Sequence, residues 1–163
     1  MKKSCAVLLA FLLLSLALSA CGGSGASHSA AAPKLTAKQM ADEMAKQVEQ
    51  PKLVDLEGDM VKKMYHLDPA LLEDYAIRTP LMNVKTNEIA ILKVKDAANV
   101  PTVEAAVKQR ASDVQKQFET YHRDQYENAK NYKLVTKDNY VLFLISENPD
   151  ALLKAYDSFF VAK

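Results

Sequence analysis

Tryptophan is absent from the chain, and cysteine, glycine and histidine are scarce: two, four and three copies in 163 residues. Both cysteines, Cys5 and Cys21, fall at the N-terminal end. The remainder therefore offers no disulfide, no thiol nucleophile and no cysteine-ligated metal site. Three of the four glycines are Gly22, Gly23 and Gly25, which leaves no glycine-rich loop to cradle a phosphate. Charge of one sign is missing too, with 21 Lys+Arg against 20 Asp+Glu. Nucleic-acid modules carry a basic excess, so no nucleic acid is expected as a partner. His66 has no HxH or HxxxH companion, and neither a metal nor a cofactor is expected.

What is present begins with an address. Met1-Lys2-Lys3 precedes an apolar run from Ala6 to Leu18, broken only by Ser15 and followed by Ser19 and Ala20. This is the anatomy of a secretory signal. A helix over that run would reach about 20 Å, short of the roughly 30 Å hydrocarbon core that a permanent span crosses. Leu18-Ser19-Ala20-Cys21-Gly22 has the form of a lipobox, in which small residues lead to a cysteine whose sulfur receives a diacylglyceryl group. Cleavage before Cys21 and acylation of its thiol are expected, since two acyl chains suffice for stable anchoring. Gly22 to Pro33 reads GGSGASHSAAAP, a linker composition with a reach of about 19 Å. His28 within it reads as a solvated side chain. The expected organisation is thus a cleaved signal peptide over 1–20, a lipidated Cys21 and tether over 21–33, and one folded domain over 34–163.

The rest reads as an α+β domain. Thr36 and Gln39 fit a capping box, Leu35 and Met40 a hydrophobic staple, and Met40, Met44 and Val48 recur at helical spacing as far as Pro51. The methionines fit core packing or an adaptable binding face. Asp59 is expected to cap a brief turn, and Asp68-Pro69 to open another carrying Leu71, Leu72 and Tyr75. From Ile77 the pattern turns to strand character, with Leu81, Met82 and Val84 before a turn at 85–87. Along Glu88–Lys95 period two sets Glu88, Ala90, Leu92 and Val94 on the expected core face, with Glu88 the odd member. A long helix from about Val100 to Phe118 aligns Val103, Val107, Val114, Phe118 and Tyr121. Tyr132–Thr136 and Tyr140–Ile145 form an expected hairpin whose second strand is apolar on both faces and hence interior. Asn148-Pro149 starts the last helix, with Leu152, Leu153, Tyr156, Phe159 and Phe160 on its buried side. An antiparallel sheet of about four strands results, packed by helices beginning near Thr36, Val100 and Pro149.

Arg110 stands out because it falls inside the apolar stripe of the long helix. An ion there must snorkel or meet an acid. Two readings stay open: a structural ion pair with Glu88, or an anion pocket with Tyr121 and Tyr140 as nearby hydroxyl donors. His122 and Asp124 offer a His–carboxylate couple, without a nucleophile in a recognisable setting. No catalytic residue is assigned.

Glu88-Ile89-Ala90-Ile91-Leu92-Lys93, the helix with Arg110, Phe118-Glu119-Thr120-Tyr121, and Asn139-Tyr140-Val141 entering an apolar strand together resemble the domain of unknown function 4358 family of bacterial lipoproteins. The resemblance runs from Glu88 to Phe160. That family commonly has glycine at the hairpin turn, where this chain has Asp138. The resemblance implies the outer face of a single cytoplasmic membrane and brings no activity, cofactor or site residues. The expected function is a membrane-anchored, non-catalytic extracytoplasmic domain that binds an envelope protein, a peptide or a small solute. The alternatives are an envelope hydrolase built on the 121–126 corner, and a secreted small-ligand carrier with a closed apolar cavity.

Overall fold

The computed structural model describes residues 32–161; Cys5, Cys21, His28, the expected leader and most of the expected tether lie outside them. The capping box forms as expected, with the Gln39 amide donating to Thr36 Oγ1 and the Thr36 amide to Gln39 Oε1. It opens helix α1 (Ala37–Ala45), followed by strand β1 (Leu53–Asp55) and helix α2 (Asp59–Tyr65). Gly58, at φ +59°, is the N-cap of α2, so Asp59 lies inside the helix and does not cap it. Asp68 accepts from the Ala70 amide at 3.1 Å and opens a single 3-10 turn, Pro69–Leu71. Strand β2 (Leu72–Pro80), strand β3 (Glu88–Val94) and helix α3 (Val100–Phe118) follow. Helix α4 (Arg123–Lys130), strands β4 (Lys133–Lys137) and β5 (Tyr140–Ile145), and helix α5 (Pro149–Ser158) complete the order.

The five strands form one antiparallel sheet in the order β1-β2-β3-β5-β4. Two expectations are corrected. Leu72 and Tyr75 belong to β2, paired with Val94 and Leu92 of β3, and not to a helical turn; a register shift between Leu72 and Asp74 breaks the alternation that would mark the strand. Leu81, Met82 and Val84 form no strand; they sit exposed in the loop between β2 and β3.

The sheet is covered on both faces, which explains why β5 is buried along its whole length. On one side Ala90, Leu92, Val94, Val141 and Phe143 meet α2, α3 and Ala129 of α4. On the other, Ile89, Ile91, Leu142 and Leu144 meet Met40 and Met44 of α1 with Leu152, Tyr156 and Phe160 at α5. The methionines are thus core residues; each fully buried side chain contributes about 1.5–3 kcal/mol. The expected single core face on β3 is corrected accordingly: its two faces pack two separate cores.

Candidate functional site

Glu88 opens β3 opposite Ile145 of β5, on the sheet face that α3 covers. Its residue exposure is 1%. Arg110 arrives from the apolar stripe of α3, flanked by buried Val107 and Val114. The guanidinium grips the carboxylate side-on, Nε donating to Oε1 at 3.0 Å and Nη2 to Oε2 at 2.7 Å. Charge-assisted, bidentate geometry of this kind is the strong form of the interaction. Tyr65, the last residue of α2, donates its hydroxyl to the same Oε1, and its ring lies 5.7 Å from the Arg110 guanidinium carbon. One acid therefore joins β3, α2 and α3.

The electrostatics follow from this packing. Burial and then the Glu88 charge push the Tyr65 phenol well above its ordinary value. Burial pulls Arg110 down, and the adjacent Glu88 carboxylate more than offsets that, so Arg110 is held above its usual range. Nearby, His66 Nε2 lies 2.9 Å from Asp113, which also accepts from Gln109 at 2.8 Å, and α2 is clipped to α3 a second time. Burial raises Asp113, and the His66 and Gln109 contacts outweigh it and draw it below the ordinary carboxylate range.

Above the pair, at the end of the sheet, lies a cleft of about 160 Å³ roofed by the loop 81–87. The loop is held down from below. The Thr86 amide donates to Gln125 Oε1 at 3.0 Å, and Asn128 Nδ2 donates to Thr86 Oγ1 at 3.1 Å. Asn87 Nδ2 donates to Glu147. Its upper part presents Leu81, Met82 and Val84, which are 53%, 64% and 40% exposed.

The structure brings Arg110 and Glu88 together and does not bring the other two candidates to them. Tyr140 faces the opposite core, edge-on to Phe160 at 5.4 Å. Tyr121 follows the end of α3, exposed and stacked on Phe118 at 5.4 Å. The hydroxyl that reaches Glu88 is that of Tyr65. Sequence reasoning misses it, since a tyrosine closing a seven-residue helix carries no spacing signal toward an acid 23 positions away.

At the 121–126 corner, His122 is the N-cap of α4 and makes no side-chain capping bond, and Asp124 lies in the first turn of the helix. Asp124 accepts from Gln125 Nε2 at 3.2 Å, and that bond holds its carboxyl below the ordinary range. Among the described residues no hydroxyl is hydrogen-bonded to the His122 ring, and no three His, Cys, Asp or Glu side chains gather in a metal-binding group. No described helix is long and apolar enough to cross a membrane.

No curated protein and no solved structure matches the chain. A family model does, over residues 46–146, a span that takes in β1 through β5 and every residue of the Glu88–Arg110–Tyr65 cluster. The chain belongs to the family described as domain of unknown function 4358.

Proposed function

We propose that the protein is a lipid-anchored extracytoplasmic domain that binds a protein, a peptide or a small solute at the cell envelope without catalysing a reaction. In this reading residues 1–20 are a cleaved leader, Cys21 carries the lipid, and the linker from Gly22 to Pro33 is the stalk. One observation carries it. The chain enters the fold where the Ala37 amide donates to Asp74 at 2.7 Å, near the start of β2. The cleft lies at the far end of that strand, beside Pro80 and Leu81. Six residue steps separate the two ends, about 20 Å. A stalk attached at one end therefore does not cover the cleft at the other.

The chemistry of the two candidate places supports binding over hydrolysis. General-base catalysis through a hydroxyl needs base and nucleophile within hydrogen-bond reach. His122 has no such partner among the described residues, and the one hydroxyl on Glu88, that of Tyr65, is fully buried and closed to a substrate.

The test is co-purification from cross-linked envelopes, comparing the wild-type chain with C21S. The wild type is expected in the membrane fraction with a recurrent partner or solute, and the C21S chain to leave that fraction. Membrane retention of the C21S chain would overturn the anchor. Turnover of an ester or peptide substrate, abolished by H122A, would overturn the non-catalytic reading.

A further inference from the structure

Arg110 is only 9% exposed, yet just two of its five N–H donors meet protein acceptors among the described residues. Glu88 takes Nε and Nη2. Among the described residues Nη1 has no partner, and Arg110 lines the cleft under the loop 81–87. A guanidinium has five N–H donors, so this one keeps at least two for a guest. The cleft supplies the rest of a site. Its walls include Met64, Leu81, Val114 and Phe118. At about 160 Å³ it is close to the roughly 150 Å³ cavity that accepts a benzene-sized molecule, too small for a nucleotide or a drug-sized ligand. The ionisable residues lining it are Arg110, Lys85 and Glu88, a net of one positive charge. Glu147 meets Lys85 only from 3.7 Å, with both side chains about half exposed.

We infer that this cleft binds a small apolar carboxylate, with the acid oxygen on Arg110 Nη1 and the apolar body against Leu81, Val114 and Phe118. The inference rests on the reading of the domain as a binding domain and names the ligand class. The hydrogen bonds of Thr86 hold the roof in place before any guest arrives, which lowers the ordering cost of binding. Two sources share this chemistry: a free short-chain or aromatic acid, and the C-terminal residue of a polypeptide.

The experiment is ligand-observed NMR and calorimetry on the full chain in detergent. Phenylacetate is compared with phenylacetamide, and acetyl-Ala-Phe acid with its amide. Each acid is expected to bind about tenfold tighter than its amide, because a charged acceptor gains over a neutral one at the same donor. K85E lies on the exposed loop, so it keeps the fold and is expected to weaken the acids about threefold. L81N is expected to weaken acid and amide alike.

A peptide acid that binds tighter than phenylacetate identifies a polypeptide terminus as the source; the reverse identifies a free acid. Equal affinity for acid and amide, indifference to K85E, or no binding of any of the four compounds would overturn the inference. A partner that still co-purifies in that case would leave the wider binding reading standing.

Discussion

Replacing Arg110 by methionine keeps most of the stem and removes the charge that answers Glu88. The carboxylate would then sit at 1% exposure with only the Tyr65 hydroxyl as partner. Breaking a buried ion pair on one side costs about 3–5 kcal/mol, because the surviving charge is uncompensated. Removing both charges, in R110M with E88L, takes away that penalty. It leaves the fully buried Tyr65 hydroxyl orphaned, at about 1–3 kcal/mol. Adding Y65F removes the last unsatisfied group, and the triple variant is expected within about 1 kcal/mol of the parent. Equilibrium urea unfolding of the full chain in detergent, followed by far-UV circular dichroism, measures the series, provided that the slope with denaturant stays constant. The expected stability order is parent and triple, then double, then single. A loss below about 1 kcal/mol for R110M alone, or a triple variant no more stable than the single one, would show that the Glu88 charge is not held by Arg110 in a dry site.

Three further outcomes follow from single contacts. Y65F is expected to lose about 1.5–3 kcal/mol, the worth of a hydrogen bond to a charged group. The fold holds Tyr65 as the neutral phenol, above its ordinary 10.0, so this contribution is fully present below pH 10 and is lost as pH rises through the folded-state value. Thermal melts between pH 8 and 11 should therefore show a shallower alkaline decline in Y65F, retaining the share of Tyr156, which burial also raises; parallel declines would contradict it. D74A removes the acceptor of the Ala37 amide at the start of α1 and is expected to cost about 1 kcal/mol. E73A, which breaks a half-exposed pair with Lys93, should cost about half that or less, and equal losses in denaturant midpoint would sink the distinction. Asp138 sits at φ +50° in the two-residue turn between β4 and β5. D138G is expected to raise stability by about 0.5 kcal/mol, left-handed strain relieved against glycine's added chain entropy, and a lower melting temperature would count against it.

The sequence makes some of this legible and hides the rest for definite reasons. Glu88 and Arg110 are visible as two ions stranded in apolar patterns, and stranded ions of opposite sign must find each other or solvent. The capping box at Thr36 and the Asn148-Pro149 helix start are local signals, complete within a few residues. The first part of β2, before Ile77, escapes because the shift at Leu72/Asp74 scrambles the alternation that would announce it. The second core escapes because a strand buried on both faces carries no polar side to orient it. Tyr140 is misassigned through register. It pairs with Lys93 of β3, an odd number of residues from Glu88, and so lies on the other face. That register is set by the pairing of β3 with β5, which no local pattern in either segment reveals.

The proposed partners at the cell envelope all presuppose the proposed lipid anchor at Cys21. Intact and peptide mass spectrometry of the chain recovered from its own membranes tests it directly. The expected result is a mature chain beginning at Cys21, its sulfur bearing a diacylglyceryl group and residues 1–20 gone. A free thiol at Cys21, or a leader still attached, would contradict it.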